Sequence, residues 1–218
     1  MSVILYGFWR SIASFRVRVA LRLKGLAFDE IPIDILSGEQ FKPDYEAVNA
    51  ERVVPTFVHD GHSFFQSLAI IEYLEDIQPN PRLLPAETEE RAYARSLALV
   101  TVADAHPLLV PRVRNHLANT FGADVRVIEA WAKHWTTEGL ATYERLLARR
   151  APAPFALGAE PGIADICIAG QVISAHFLNL DLSAFPAVAR LAERCFAIPA
   201  FASSHPFEQP GFKAVSAH

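Results

Sequence analysis

Cysteine is nearly absent from this chain of 218 residues, which contains only Cys167 and Cys195. Two cysteines cannot form a disulfide scaffold or a four-thiolate metal site. Neither sign of charge strongly predominates: the chain has 20 Lys and Arg residues and 24 Asp and Glu residues, which gives a net charge of −4. The chain therefore lacks the overall basic character that indicates a nucleic-acid-binding protein. No apolar run approaches the about 20 residues that a membrane span needs.

The composition that remains is typical of a folded globular protein. Hydrophobic residues make up 51% and charged residues 20%, which excludes intrinsic disorder. The length favours one large domain or two small ones. The first residues, MSVILYGFWRS, have no basic residue ahead of the apolar run. We therefore expect no signal peptide, and a cytoplasmic protein whose thiols are reduced.

The N-terminal part of the chain has the pattern of a small mixed sheet with helices. In the first predicted helix, Arg16, Arg18 and Arg22 lie opposite an apolar stripe and are expected in solvent. Pro32 within the second predicted strand indicates a sheet edge. The predictions are strands over 3–6, 29–34, 56–58 and 63–65, helices over 15–24 and 67–76, and a short helix near 43–48.

Two further signals belong to this part. Asp60-Gly61 predicts a tight hairpin, because both central residues of the favoured turn need positive φ. Ser67 is a plausible N-cap of the helix that begins there.

The second half of the chain is helical throughout. Proline-rich residues 77–86 predict a linker ahead of it. The predicted helices cover 87–109, with interruptions at Pro107 and Pro111, then 124–150, a buried helix over 163–178, and 186–198, and the tail from Ala202 is irregular.

Two backbone features indicate a site for an extended, anionic ligand. The peptide bond between Val54 and Pro55 is a candidate cis bond, which would turn the N–H and C=O of Val54 outward. An ordinary trans proline is the alternative. Gln66-Ser67 precedes a helix, where orphan N–H groups, the positive helix end and a hydroxyl suit a carboxylate. A plain N-cap serine is the alternative there.

Ser11 and Ser14 lie between the first strand and the first helix. A hydroxyl there faces a helix N-terminus, where a thiolate would be stabilised. No His and Asp pair lies nearby in sequence, so the serine would donate a hydrogen bond rather than act as a nucleophile. Helix capping is the alternative, and we expect it to fit Ser14 better than Ser11.

His106 breaks a long predicted helix, and Arg112 follows it. His106 is a candidate for lining a cleft, although a structural or exposed histidine is the commoner case. With no spaced pair such as HxxxH among the histidines, we expect no metal site. Cys167 and Cys195 are expected to be inert core thiols.

Together these pieces resemble the cytosolic glutathione transferases, through FWRSIASFRVRVALRLKG, VVPTFVHDG and QSLAIIEYLE. The sequence is most similar to the zeta class, which includes maleylacetoacetate and maleylpyruvate isomerases. That likeness extends to DAHP at 104–107, FGAD at 121–124 and SHPFEQP at 204–210. The resemblance implies an α/β plus all-α fold and a homodimer. A thioredoxin-like, glutathione-binding domain would cover 1–80, and an all-helical substrate domain 87–218.

The resemblance also implies a set of site residues. The thiol-facing, catalytic serine matches Ser11. The glutathione-binding positions match Gln40, Val54, Gln66, Ser67 and His106, and the candidate contacts to an electrophilic small-molecule substrate are Arg10, Ala13 and Arg112.

Three positions depart from the family pattern. The serine-cysteine segment of the zeta class has Ile12 and Ala13 here, and Leu109-Val110-Pro111 follow the HPL-type element where the isomerases carry asparagine. Gly162 stands where a hydroxyl N-cap is expected. The first two departures make the predicted pocket more apolar.

The leading hypothesis is a glutathione-dependent transferase or isomerase of zeta type. In it, a thiolate stabilised by Ser11 attacks an electrophilic substrate, such as a maleyl-type cis-enoic acid. General conjugation without isomerisation is the runner-up. The non-enzyme alternative is a protein that binds glutathione or carries ligands, with little or no isomerase activity. The second substrate is not defined by the sequence.

Overall fold

The computed structural model describes residues 3–212, which fold into two compact units. The first unit contains residues 3–83 together with residues 198–212. The second unit runs from Leu84 to Ala197. The predicted boundary grouped residues 87–218, whereas in the structure the C-terminal tail belongs to the first unit.

The first unit is built on a four-stranded mixed sheet, which confirms the predicted sheet. The strand order is β2-β1-β3-β4, with β1 parallel to β2 and antiparallel to β3. β2 is an edge strand, as Pro32 predicted, but it ends at Pro32 and is two residues shorter than the predicted strand over 29–34. The elements are β1 (Val3–Gly7), α1 (Ile12–Leu23), β2 (Asp29–Pro32), α2 (Pro43–Glu46), β3 (Thr56–His59), β4 (His62–Phe65) and α3 (Ser67–Ile77).

The turn between β3 and β4 has the predicted form. Asp60 and Gly61 have φ values of 47° and 82°, and His59 pairs with His62 across the turn. Positive φ at both central residues matches the twist of the flanking strands, so the tight hairpin prediction is confirmed.

The prediction that Arg16 and Arg18 are exposed is wrong. Helix α1 begins at Ile12, three residues earlier than predicted, and the two arginines are 2% and 1% exposed. Each has a polar partner on another element. Arg16 Nε donates to Ser67 Oγ at 2.9 Å, and Arg18 forms an ion pair with Glu30. Helical periodicity carries no information about these partners, because both lie outside the helix.

Ser67 is not the N-cap of α3. Gln66 occupies that position with a φ of 67°, and Ser67 is the first helical residue, buried with its hydroxyl on Arg16. The predicted linker after α3 is fixed by buried Lys24. Its Nζ contacts Glu75 and donates to the carbonyl oxygens of Gln78 and Pro81, both at 2.7 Å.

The second unit is helical, as predicted. The helix predicted over 87–109 is a shorter helix, followed by a π-helical segment over Val100–Ala105 and a 3-10 turn over His106–Leu108. The helices are α4 (Thr88–Leu99), α5 (Pro111–Phe121), α6 (Val125–Leu147), α7 (Ile163–Phe177) and α8 (Pro186–Phe196), and α7 is buried along almost its whole length.

Close packing accompanies the π-helical segment. A Cβ added to Gly139 of α6 would lie 2.7 Å from Gln171 Nε2 of α7 and 3.2 Å from the Cβ of Ala105, so a side chain at this position would force its neighbours to shift. Tyr143 donates its hydroxyl to the carbonyl of Leu97 at 2.8 Å, and its oxygen lies 2.7 Å from Thr101 Oγ1. The Leu97 carbonyl, which lies where α4 gives way to the π-helical segment, therefore accepts a hydrogen bond from a buried side chain.

The tail from Ile198 packs on α1 of the first unit. It begins with α9 (Pro199–Ala202) and continues into a 3-10 turn over Pro206–Glu208. Phe201 meets Phe15 edge-on at 6.5 Å, and Arg22 Nη1 donates to Ser204 Oγ at 2.6 Å. These contacts explain why the tail belongs with the first unit.

Asp165 holds the loop that precedes α7. Gly162 is the N-cap, and the buried carboxylate of Asp165 accepts the N–H groups of Gly162 and Ala156 at 2.9 and 2.8 Å. Burial raises the pKa of Asp165 from 3.8 to about 6, although these hydrogen bonds oppose the shift. The folded chain therefore holds this proton to higher pH than the unfolded chain.

The raised pKa gives a pH prediction. Between about pH 4 and 6 the unfolded chain releases the Asp165 proton before the folded chain does, so this group's contribution to the free energy of unfolding falls as pH rises. We expect the difference in unfolding free energy between wild type and Asp165→Asn to shrink across that window and to level off above it. Urea unfolding at a series of pH values measures it.

Asp124→Asn is the matched control. Asp124 is the exposed N-cap of α6, and its pKa is lowered, chiefly by the hydrogen bond from the Val127 N–H. Its contribution to the free energy of unfolding is present above pH 3.8 and is lost as the pH falls below that value. Parallel profiles for Asp165→Asn and wild type would contradict the raised pKa.

Candidate active site

Ser11 is the N-cap of α1, so the prediction that capping fits Ser14 better is wrong. Its Oγ accepts the backbone N–H of Ser14 at 3.1 Å. Accepting that hydrogen bond uses a lone pair, and the hydroxyl proton of Ser11 stays available to a second group. Capping and donation to a thiolate are therefore compatible in this one side chain.

Ser14 stabilises the turn between β1 and α1 from its buried side. It is fully buried, and its Oγ accepts the N–H of Phe8 at 3.3 Å. The carbonyl of Phe8 accepts the N–H of Ser11 at 3.0 Å, which closes a four-residue turn from Phe8 to Ser11. Both polar backbone groups of Phe8 are thus engaged in placing Ser11.

Arg18 fixes the same turn from the sheet side. Its Nη2 donates to the Phe8 carbonyl at 3.0 Å and to Glu30 Oε1 at 2.6 Å. A Cβ on Gly7 would lie 2.5 Å from Glu30 Oε1, so a side chain there would force the Glu30 carboxylate to shift away from its present contact with Arg18. Neither Phe8 nor Arg18 was predicted to have a role, and no local sequence signal identifies their contacts.

The first turn of α1 offers an anion site beside Ser11. It contains no acidic residue, and the N–H groups of Ile12 and Ala13 have no hydrogen-bond partner among residues 3–212. Ala13 is half-buried and Arg10 is exposed. These donors, the positive helix end and the Ser11 hydroxyl are suited to stabilising a thiolate.

Val54 has open backbone polar groups. The Val54-Pro55 bond is cis, the alternative that sequence alone left open. Val54 is half-buried, and neither its N–H nor its C=O makes a hydrogen bond with another residue in the described range 3–212. Backbone groups that are open in this way suit an extended peptide.

Gln66 and Ser67 lie at the start of α3. The φ of 67° at Gln66 is unusual for a residue other than glycine, and such backbone strain clusters at binding sites. Gln66 Nε2 donates to Glu51 Oε1 at 2.7 Å. Because Ser67 Oγ accepts from Arg16, its own proton can be donated to a carboxylate.

Gln40 lies on a short 3-10 turn over Glu39–Phe41 that follows the loop after β2. The residue is half-buried, and its Nε2 donates to the Ile35 carbonyl at 3.3 Å. Its Oε1 is buried without a hydrogen-bond partner among the described residues.

The candidate residues of the second unit flank the break after the π-helical segment. His106 opens the 3-10 turn and is half-buried, and Arg112 is exposed in the first turn of α5. Trp131 of α6 donates its Nε1–H to the Leu108 carbonyl at 2.9 Å. This contact fixes the turn that carries His106, and sequence reasoning did not find it.

Residues 3–212 contain no cluster of three or more His, Cys, Asp or Glu side chains that could hold a metal ion. Within the same residues, no helix combines the length and apolar character of a membrane span.

Comparison with known proteins identifies the family. The model of the glutathione S-transferase N-terminal domain matches residues 1–76, and that of the C-terminal domain matches residues 129–197. The chain belongs to the glutathione S-transferase family. This transferase is 38% identical to a maleylacetoacetate isomerase of Pseudomonas aeruginosa, over 97% of this chain and 99% of that protein.

Solved structures match this transferase along nearly its whole length. A maleylpyruvate isomerase, described as a bacterial glutathione S-transferase of the zeta class, superposes with a TM-score of 0.92 at 36% identity. A maleylacetoacetate isomerase from Methylobacterium extorquens AM1, solved with malonate and glutathione bound, gives 0.92 at 41% identity. In both cases the match covers 95% of this chain and 98% of the other. The predicted family and fold class are confirmed.

Proposed function

We propose that this protein is a glutathione-dependent transferase of zeta type that isomerises a maleyl-type cis-enoic acid. The proposal depends most on the position of Ser11. Its hydroxyl caps the N-terminus of α1 and still has a proton to donate, and it lies beside the N–H groups of Ile12 and Ala13. The identity to maleylacetoacetate and maleylpyruvate isomerases along the whole chain supports the substrate class.

The first unit contains the groups that we assign to glutathione binding. Val54 would pair through its backbone N–H and C=O with the cysteinyl residue. Gln66 and Ser67, with the first N–H groups of α3, would hold the γ-glutamyl carboxylate. Gln40 and His106 are assigned to further polar contacts on the strength of the resemblance alone.

Bound glutathione would supply a thiolate that adds to one carbon of the substrate's cis double bond, permits rotation about that bond and leaves. Ser11 donates its hydroxyl proton as a hydrogen bond to the sulfur and keeps that proton throughout. The helix end stabilises the negative charge on the sulfur before addition and after departure. Arg10, His106 and Arg112 are the candidate partners for the substrate's carboxylates, and Ala13 is a candidate apolar contact.

The apolar residues that differ from the family pattern favour a second candidate function. By the family resemblance, Ala13 stands where the zeta class carries a cysteine, and Leu109-Val110-Pro111 stand where its isomerases carry asparagine. Apolar residues at these positions would suit conjugation of glutathione to neutral electrophiles, or ligand binding without turnover. The similarity to isomerases favours the first function over this one.

A substrate panel with glutathione tests the proposal. We expect turnover of maleylacetoacetate or maleylpyruvate to the trans isomer, measured by absorbance and product analysis. A chloroacetate and chlorodinitrobenzene serve as conjugation substrates. Conjugation without isomerisation would identify the second function. Binding of glutathione without turnover of any substrate would indicate a ligand-carrying protein that is not an enzyme.

Ser11 and Ser67 are expected to have separable effects. Ser11→Ala should raise the thiol pKa of bound glutathione and slow turnover about ten- to a hundredfold at neutral pH, with glutathione affinity nearly unchanged. Ser67→Ala should weaken glutathione binding about tenfold or more, because a hydrogen bond to a charged group contributes about 1.5–3 kcal/mol, and it should leave the thiol pKa unchanged. Thiolate absorbance and calorimetry measure the two quantities.

Ser14→Ala is the comparison variant for this pair, and because Ser14 only supports the turn that carries Ser11, we expect it to change the thiol pKa less than Ser11→Ala does. It removes the acceptor of the Phe8 N–H and should act on the free energy of unfolding, by about 1–3 kcal/mol, because it leaves that buried donor unpaired. A thiol pKa that responds to Ser14→Ala and not to Ser11→Ala would reverse the two assignments. Unchanged glutathione affinity in Ser67→Ala would overturn the carboxylate placement.

We also propose a cytoplasmic homodimer, which rests on the family resemblance. Sedimentation at micromolar concentration should give a species of twice the 24.1 kDa chain mass. A species at the chain mass itself would refute the dimer.

A further inference from the structure

The C-terminal segment, defined here as Ser204–Phe212, packs on the turn that carries Ser11. Trp9 is the second residue of that turn, and its ring lies 5.6 Å from the ring of Phe212. Phe212 in turn lies 4.7 Å from Phe207 of the same segment. An aromatic cluster from the C-terminal segment therefore covers one side of the Phe8–Ser11 turn.

Gly211 makes the closest approach in this cluster. A Cβ on Gly211 would lie 2.5 Å from Trp9 Cδ1 and 2.8 Å from Trp9 Cγ. These atoms belong to the base of a rigid indole, so a side chain at 211 must displace Trp9 or the segment itself. Its φ does not lie in the left-handed region, and the need for glycine at this position is one of space.

The C-terminal segment is held to α1 and by its own hydrogen bonds. Arg22 of α1 donates to Ser204 Oγ at 2.6 Å. Buried Gln209 donates through Nε2 to the carbonyl oxygens of Ser203 and His205, both at 2.9 Å. The segment therefore has a fixed place relative to the helix whose first turn lies beside Ser11.

The Phe8–Ser11 turn is thus fixed on two sides. Arg18 and Ser14 hold its backbone at Phe8, and the C-terminal segment holds the side chain of Trp9. A shift of Trp9 would move the turn, and with it the hydroxyl of Ser11, because Ser11 closes the turn through its N–H to the Phe8 carbonyl.

We infer that Gly211 and Phe212 are positioning residues for Ser11, acting through Trp9. This inference rests on the proposed function, in which the Ser11 hydroxyl stabilises a thiolate. Neither residue is assigned a contact with glutathione or substrate, so they affect the reaction only by setting where the hydroxyl lies. A displacement of about 1 Å at a reacting group can cost up to a hundredfold in rate.

The test compares two Gly→Ala substitutions. Gly211→Ala should raise the thiol pKa of bound glutathione and lower kcat about three- to tenfold, with KM for glutathione nearly unchanged. Gly158→Ala is the matched control, because a Cβ there meets no atom of the described residues within 4 Å and its φ does not lie in the left-handed region. It should leave thiol pKa, kcat and KM unchanged.

Phe212→Leu is the second, milder variant, should Gly211→Ala fail to fold. It keeps an apolar side chain and removes the ring contact with Trp9, so a smaller change of the same sign is expected, with altered tryptophan fluorescence. If folded Gly211→Ala or Phe212→Leu keeps the wild-type thiol pKa and kcat, the positioning role is overturned. If wild type binds no glutathione, or Ser11→Ala leaves the thiol pKa unchanged, the proposed function fails instead.

Discussion

The buried guanidinium of Arg18 is the contact on which the architecture of the Ser11 turn depends. It joins three parts of the first unit: α1, on which it lies, β2 through Glu30, and the end of β1 through the Phe8 carbonyl. A buried charge that loses its partner costs about 3–5 kcal/mol, so the pair tolerates little change. Gly7 is constrained by the same contact, since a side chain there would overlap Glu30.

Arg16 has a corresponding role at the start of α3, where the γ-glutamyl carboxylate is proposed to bind. Its guanidinium connects α1 to Ser67 at the start of α3. Two arginines that lie two residues apart in sequence thus fix the two helix N-termini where glutathione is proposed to bind. Burial strengthens these charge-assisted hydrogen bonds because little water competes for them.

In the second unit, the change from α-helix to π-helix determines where His106 lies. The π-helical segment over Val100–Ala105 ends at His106, and it packs at the glycine of α6. Helical irregularities of this kind are frequent at functional sites, because they place a side chain where a regular helix would not. Trp131 then holds the following turn through the Leu108 carbonyl.

The sequence alone was sufficient for most of the elements and for their order. Periodicity located most helices and strands, Asp60-Gly61 specified the hairpin, and the motif resemblance indicated the family. These signals act within a few residues, so they can be interpreted without knowing the tertiary structure. Only the tertiary structure decided the surroundings of Arg16, Arg18 and Ser14, and the contact of Gly211 with Trp9. The partners of these residues lie on other elements, in the case of Gly211 about 200 residues away in the chain, and a buried charge or a close approach is defined only once those elements have packed.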